Sequence, residues 1–235
     1  MKTKIRIRIY PFIVVGFALI LSSNCKKDLS NTVIYIGEET DTNYYTASVT
    51  IGTQVWMTKN LKVRRFQNGD KIWSTNPATL DITDEIMPKH QWAYDADEIN
   101  VDAYGRLYTW YAVTDPRGVC PRGWHVPTDE DWNILMTYLN GKLYEGGNLK
   151  ETGTIHWAAP NTGATNETYF TALPGGYRSY YGRFSDIGFS GFWWSSSESS
   201  QLTAWGRGMV NYNNQVPRLE FEKQNGLSVR CIKDN

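Results

Sequence analysis

The sequence predicts an α+β domain with one or two helices, a small twisted antiparallel sheet and long ordered loops. Three observations predict it: a strand, turn and strand pattern over residues 49–57, a helix pattern with start signals over residues 128–139, and short apolar runs punctuated by glycine and proline from residue 155 onward. The 235-residue chain is 41% hydrophobic and 14% aromatic, as expected of a globular protein. This composition excludes collagens, coiled coils and multi-span membrane proteins.

The first predicted element of the domain is a β-hairpin. Two short apolar runs, VTI at 49–51 and QVWM at 54–57, flank a Gly-Thr pair, which is a strand, tight turn and strand signal. Further along, tyrosines and a leucine between residues 103 and 113 fall on one side of a helical wheel. We therefore expect a second helix over residues 103–113.

The clearest predicted helix begins after Thr128. The Thr128 hydroxyl can cap free backbone N–H groups, and Asp131, three residues later, can reach back to complete a capping box. Apolar side chains at positions 132, 135, 136 and 139 recur at helical spacing. Gly141 then provides a C-terminal stop.

The N-terminus has the two parts of a signal peptide, which we assign to residues 1–24. Basic residues precede an apolar run over 12–21, which is shorter than the roughly 20 residues of a transmembrane helix. The segment LSSNC at 21–25 resembles the lipobox of bacterial lipoproteins, in which the cysteine is acylated; the alternative for Cys25 is an incidental thiol. Residues 25–45 are predicted to be a polar tether. We expect a lipid-anchored cell-envelope protein, at the outer membrane, with the bilayer as its partner.

The remaining cysteines are Cys120 and Cys231. Export to an oxidising compartment favours a disulfide between them. The alternative is a reactive thiol or a metal-binding pair, although metal-binding cysteines usually lie two to four residues apart and have further Cys or His ligands nearby.

Seven segments of the chain have a distinctive composition and order. They are TIGTQVWM at 50–57, YGRLYTWYAV at 104–113, CPRGWHVPT at 120–128, PNTGATN at 160–166, FTALPGGYR at 170–178, WWSS at 193–196 and SVRC at 228–231. Together they resemble the Fibrobacter succinogenes major paralogous domain, a family of bacterial surface lipoproteins and secreted modules, over residues 46–235. The resemblance implies a C-type-lectin-like fold related to formylglycine-generating domains, and no known reaction. It also matches Cys120 and Cys231 to the family's two recurring cysteines, which supports a disulfide.

No pattern in the sequence indicates catalysis or a metal. His90, His125 and His156 have no other histidine or cysteine at ligand spacing. The acidic residues 129–131 suit the first turn of a helix, where the helix dipole favours negative charge. We therefore predict no catalytic residue, no metal and no cofactor. The 24 basic and 24 acidic side chains form no basic stripe, which excludes nucleic acid as a partner.

The resemblance places a ligand face in the loops that follow the Trp-Trp strand. The predicted face consists of Trp205, Arg207, Asn211, Tyr212, Asn213, Asn214 and Arg218. Aromatic, amide and guanidinium groups suit adaptable binding surfaces. The alternative is that the tryptophans belong to the core and that the asparagine-rich segment is a plain turn.

These observations predict a surface binding or adhesion module for glycan or protein ligands, and not an enzyme. Two alternatives stay open. A copper-dependent oxidase related to the formylglycine-generating enzymes requires two free thiols. A structural matrix component requires self-association and no small ligand.

Overall fold

The computed structural model describes residues 47–139 and 146–234, so the predicted signal peptide, the Cys25 lipidation site and the tether lie outside the described residues. In these two ranges the strands are β1 (Ser48–Ile51), β2 (Gln54–Met57), β3 (Gln91–Trp92), β4 (Leu107–Tyr108), β5 (Trp124–His125), β6 (Gly175–Arg178), β7 (Phe184–Ile187), β8 (Ser190–Glu198), β9 (Thr203–Val210), β10 (Arg218–Glu222) and β11 (Ile232–Lys233). The α-helices are α1 (Ile99–Tyr104), α2 (Trp110–Val113) and α3 (Asp129–Tyr138), and short 3-10 segments lie at Tyr94–Ala96 and Gly146–Asn148. None of these helices is long and apolar enough to cross a bilayer.

The strands form three sheets. A four-stranded sheet has the order β1-β2-β11-β5, a five-stranded sheet has the order β10-β9-β8-β6-β7, and β3 pairs with β4. All these pairings are antiparallel except the short parallel contact between β6 and β8. The α+β class with few helices is therefore confirmed, and the strands are distributed over more sheets than the single one expected.

The predicted hairpin is confirmed as β1 and β2, with Ser48 opposite Met57 and Ile51 opposite Gln54. Gly52 in its turn has φ of +62°, a conformation that glycine adopts without steric cost. A Cβ atom at this position would also lie 2.7 Å from the Tyr138 ring. Glycine at position 52 therefore allows Tyr138, the last residue of α3, to lie against the hairpin turn.

The predicted capping box of α3 is confirmed. The Thr128 hydroxyl accepts a hydrogen bond from the Asp131 backbone N–H at 3.1 Å, and the Asp131 carboxylate accepts one from the Thr128 backbone N–H at 2.8 Å. Trp132 and Leu135 are buried on one side of the helix. The proposed stop at Gly141 lies outside the described residues.

The prediction of one helix over residues 103–113 is wrong. Helix α1 ends at Tyr104, and Gly105 follows with φ of +75°. A Cβ atom at Gly105 would lie 2.7 Å from Leu61 O, so the chain turns there at a point of close backbone approach. Leu107 and Tyr108 then pair with β3, because tertiary pairing and burial outweigh the local helical pattern.

Strand β8 separates the hydrophobic core into two clusters. Successive side chains of a strand point to opposite faces, and both Trp193 and Trp194 are fully buried. Trp194 packs with Leu227, Val229 and the cysteines in one cluster, whereas Trp193 packs with Trp56, Trp132, Trp157 and Phe170 in the other. One strand thus supplies a tryptophan to each half of the core.

The disulfide between Cys120 and Cys231 is confirmed, with the two Cα atoms 6.0 Å apart. It joins the loop before β5 to the residue before β11, and both cysteines are buried in the cluster around Trp194. The bridge closes a loop across a sequence separation of 111 residues. In the chain-entropy model, closing a loop of this size stabilises the fold by about 4 to 5 kcal/mol.

Candidate ligand-binding site

The structure divides the predicted ligand face into buried and exposed residues. Arg207 and Asn211 are buried. Trp205, Asn213 and Asn214 are half-buried, and Arg218 is exposed. Tyr212 is the most open of the set, with 68% of its surface accessible. The role of this face in ligand binding stays a prediction, but the buried members have structural partners that explain their positions.

Arg207 is held by the start of helix α3. Its guanidinium donates to the Asp129 carboxylate at 2.8 Å and to the Asn133 side-chain oxygen at 2.8 Å. Arg218, opposite Arg207 on the neighbouring strand, donates to the same carboxylate at 2.9 Å. Burial raises the pKa of Asp129, but the hydrogen bonds from Arg218 and Arg207 outweigh it and keep this pKa below its usual value. Arg207 thus ties the sheet to the helix.

Trp205 and Arg218 form a stacked pair on the same face of strands β9 and β10 as Arg207. The Arg218 guanidinium carbon lies 3.2 Å from the centroid of the Trp205 ring. A cation in this position is attracted by the electron-rich face of the indole. That face of Trp205 is therefore covered by Arg218 and is not open to a sugar ring.

The asparagine-rich segment is a turn with one exposed aromatic side chain. The Asn211 amide donates to Ala159 O at 2.9 Å, and the Asn213 side-chain oxygen accepts from the Gln215 backbone N–H at 2.9 Å. These bonds fold the loop on itself and on a neighbouring segment, as asparagine side chains commonly do in turns. Tyr212 alone extends a large side chain into solvent from this loop.

Lys150 fixes this loop from inside the protein. The Lys150 side chain is fully buried, and its ammonium donates to three backbone carbonyls: Thr162 O at 2.9 Å, Val210 O at 3.1 Å and Asn213 O at 2.8 Å. An ammonium has three N–H donors, so all of them are used. Burial lowers the pKa of Lys150 to about 8. One side chain therefore joins two loops to the end of β9.

The loop held by Lys150 packs on two further segments. The Gly146 backbone N–H donates to Asn214 O at 2.9 Å, and the Thr165 backbone N–H donates to Gly147 O at 2.8 Å. A Cβ atom at Gly147 would lie 1.9 Å from Gly163 O, which is closer than any side chain allows. Residues 146–148, 161–168 and 211–216 thus form one closely packed set of loops, which we call the loop cluster.

A surface recess of about 320 Å³ lies at the edge of the loop cluster, between Tyr138 and Tyr169. These two tyrosines are 53% and 63% exposed. The recess is also lined by the buried apolar side chains of Val49, Ile51 and Leu139. We call it the tyrosine recess.

Polar groups complete the lining of the tyrosine recess. Asn148, Glu167 and Thr168 come from the loop cluster and contribute an amide, a carboxylate and a hydroxyl. Thr168 is anchored, because its hydroxyl donates to Asn148 O at 2.7 Å. Aromatic and apolar walls with a few oriented polar groups are typical of small-ligand sites, whose volumes start at about 300 Å³.

Tyr169 lies in a strained turn that its neighbours hold. Asn166, Tyr169 and Thr171 have φ of +50°, +57° and +55°, values that cost a residue with a side chain about 1 to 2 kcal/mol. The Asn166 side chain both accepts from the Thr171 backbone N–H at 2.8 Å and donates to the Thr171 hydroxyl at 3.0 Å. The buried guanidinium of Arg230 donates to Phe170 O and Thr171 O. Strain of this kind persists where the surroundings enforce it, and it is frequent at functional sites.

The tyrosine recess was not predicted from the sequence. Tyr138 is on the exposed side of a predicted helix and Tyr169 is in a loop, so no periodic pattern links them. The one local signal is the asparagine at position 166, because asparagine tolerates the left-handed conformation that a compact turn requires. That signal indicates a turn, but it does not indicate which side chain the turn presents.

Each of the three histidines pairs with a carboxylate at a separate place. His90 Nε2 lies 2.7 Å from Glu85, His125 Nδ1 lies 2.7 Å from Asp234, and His156 Nδ1 lies 2.8 Å from Glu151. The part of the chain that the structure describes contains no group of three or more His, Cys, Asp or Glu side chains that could hold a metal ion.

The described residues thus form an α+β domain with a preformed recess beside closely packed loops. The model of the Fibrobacter succinogenes major domain matches residues 49–233, which is most of the chain, and the protein belongs to this family. No curated protein and no solved structure matches the chain.

The lowered pKa of Lys150 leads to a testable pH dependence. The pKa of lysine in unfolded chains is about 10.4, whereas in the folded protein we expect the pKa of Lys150 to be about 8. Between these two pH values the unfolded state binds more protons than the folded state. The unfolding free energy therefore rises with pH across this window, and this gain is lost again as the pH falls to about 8.

This prediction is checked by ¹³C NMR of labelled lysine side chains, with the Lys150 signal assigned by its absence in Lys150→Met. The same variant should lack the corresponding rise in urea stability across that pH window. A Lys150 signal that titrates together with the lysines of the denatured protein would contradict the prediction.

Proposed function

We propose that this protein is a glycan-binding module of the bacterial cell envelope, with a C-type-lectin-like fold, and that the tyrosine recess holds a sugar ring. The observation that carries the proposal is the pair of exposed tyrosines, Tyr138 and Tyr169, on either side of a recess with an apolar base and oriented polar groups. The family relationship gives no function, so the proposal depends on this geometry.

A sugar ring has the surface chemistry that this recess complements. Its C–H faces are apolar and suit contact with an aromatic ring, whereas its hydroxyls require hydrogen-bonding partners at the edge. The tyrosine rings supply the aromatic contact, and the polar groups of Asn148, Glu167 and Thr168 supply hydrogen-bonding partners. The volume of about 320 Å³ suits one or two rings, not an extended protein surface. Glycan is therefore the better supported of the two ligand classes expected from the sequence.

The strained turn around Tyr169 supports the same proposal. A ligand that meets a preformed aromatic wall does not have to order it, so less binding free energy is lost to conformational entropy. Glycans bind through few contacts, which makes this saving important.

We do not propose the copper-dependent oxidase considered from the sequence. That chemistry requires free thiols at Cys120 and Cys231, and these residues are joined to each other. Nor do we propose the structural matrix component, since no described feature favours self-association over ligand binding.

The glycan proposal is tested with the purified full-length protein on an array of oligosaccharides, followed by calorimetric titration of the best binder. We expect Tyr169→Ala and Tyr138→Ala each to weaken that binding about tenfold, the effect of losing roughly 1.4 kcal/mol from a central aromatic contact. Tyr181→Ala is the matched control, because Tyr181 is also an exposed tyrosine but does not line the recess.

Two results would contradict the proposal. Unchanged affinity in both recess variants would exclude the tyrosine recess. Loss of binding in Tyr212→Ala alone would instead assign the ligand to the predicted loop face.

The envelope location is part of the proposal and is supported by the predicted signal peptide and the lipobox-like segment that ends at Cys25. Intact mass spectrometry with thiol labelling, on protein purified from native membranes, tests it. We expect a chain that begins at Cys25, carries added acyl mass and has no free thiol before reduction. A chain that is cleaved elsewhere and lacks acyl mass would contradict the anchor, and two labelled thiols would contradict the disulfide.

A further inference from the structure

A second recess, of about 290 Å³, has a cationic lining and lies beside strand β3. Arg64, Arg65 and Lys71 contribute its charged groups, and Trp73 contributes an indole that is 65% exposed. Ser74 and Gln91 complete its polar lining. We call it the cationic recess. It shares no lining residue with the tyrosine recess.

Positive charge exceeds negative charge at the cationic recess. The guanidinium of Arg65 donates to Gly69 O at 2.7 Å, and the Lys71 ammonium lies 5.3 Å from the centroid of the Trp73 ring. Within residues 47–139 and 146–234, no carboxylate lies within ion-pair distance of Arg65 or Lys71. These two cations are thus available to an anionic ligand.

The third cation of the recess shares its carboxylate. Glu98 pairs with Arg64 and also with Arg106, whose guanidinium is buried. Two hydrogen bonds and two nearby charges from these arginines keep the pKa of Glu98 below its usual value, although burial acts in the opposite direction. One carboxylate therefore faces two guanidiniums, and the neighbourhood of the recess keeps a net positive charge.

Backbone pairing holds the cationic groups in place. Arg65 and Lys71 form an antiparallel bridge, which brings the ends of the short turn between them together. Buried Gln91 fixes the base of the recess, because its amide donates to the Ser74 hydroxyl at 2.9 Å while its oxygen accepts from Arg106 at 2.9 Å. Trp73 is tied to the same place, since its carbonyl accepts from the Gln91 backbone N–H at 2.9 Å. The recess is therefore preformed.

We propose that the cationic recess binds an acidic saccharide. The carboxylate of a uronic acid would pair with Arg65 and Lys71, and the sugar ring would lie on the part of the exposed Trp73 indole that Lys71 does not cover. A guanidinium pairs a carboxylate through two parallel N–H donors, and an indole offers a broad apolar face. The concave shape and the volume of about 290 Å³ favour a saccharide over the flat surface of a bilayer. This inference does not rest on the tyrosine recess.

The test titrates the full-length protein with an oligogalacturonate by calorimetry, with the uncharged galactose oligomer of equal length as the comparison ligand. We expect the Arg65→Gln/Lys71→Gln double variant to weaken oligogalacturonate binding by about tenfold or more, because charge-assisted hydrogen bonds are lost. Trp73→Ala should weaken it as well. Lys59→Gln/Arg122→Gln is the matched control, since it also removes two exposed positive charges but neither residue lines the recess.

Comparison with the tyrosine recess keeps the two proposals distinguishable. We expect Tyr169→Ala to leave oligogalacturonate binding unchanged, and the Arg65→Gln/Lys71→Gln variant to leave any neutral glycan binding unchanged. If one recess proves not to bind its expected ligand, the proposal for the other recess is unaffected.

Several results would overturn the inference. They are absence of oligogalacturonate binding, equal binding of the uncharged oligomer, and an equal loss in Lys59→Gln/Arg122→Gln. The last result would indicate attraction by net charge alone. Inorganic phosphate that competes at the same concentration as the oligosaccharide would reduce the site to one for simple anions. Binding of the wild type, but not of the double variant, to vesicles with anionic lipid in place of oligogalacturonate would assign the recess to a membrane surface.

Discussion

Buried cations bonded to backbone carbonyls are the interaction on which this fold depends. Lys150, Arg178 and Arg230 are almost completely inaccessible to solvent, and within the described part of the chain none has a carboxylate at ion-pair distance. A buried charge is costly unless its hydrogen-bonding groups are satisfied. Carbonyls of long loops satisfy most of these groups here, and the Asn60 side-chain oxygen also accepts from Arg230. The charge and the loop conformations therefore depend on each other. A domain with few regular elements can thereby keep extended loops in single conformations.

The three cations act on different loops, and one of them, Arg230, bonds to the turn that carries Tyr169 at the tyrosine recess. Lys150 joins the turn after β9 to residues 161–168, while Arg230 donates to the carbonyls of the strained turn next to Tyr169. Arg178 holds a different loop, because it donates to Ala78 O and Leu80 O and stacks on Trp92. One side of the tyrosine recess, the turn that carries Tyr169, therefore depends on a buried guanidinium for its backbone conformation.

Elements with local signals could be predicted from the sequence, whereas features made by distant contacts could not. The capping box at Thr128 and the first hairpin depend on residues a few positions apart, and both are confirmed. The helix expected over residues 103–113 fails because pairing with β3 competes with it. Arg207 and Asn211 have the residue types of a display surface, yet both are buried and bond to residues distant in the sequence, which no local pattern reveals. Charged and amide side chains are ambiguous in this way, because the same donors suit a ligand, a carboxylate or a carbonyl.

Native-state hydrogen exchange of Lys150→Met measures the central claim most directly, with Lys59→Met as the exposed-lysine control. If the buried ammonium holds the loop cluster, amides in residues 146–148, 161–168 and 211–216 will exchange faster in Lys150→Met, while those of the hairpin β1–β2 keep wild-type protection. The control should match the wild type throughout. Unchanged exchange in the loop cluster, or equal acceleration across the whole domain, would contradict the account.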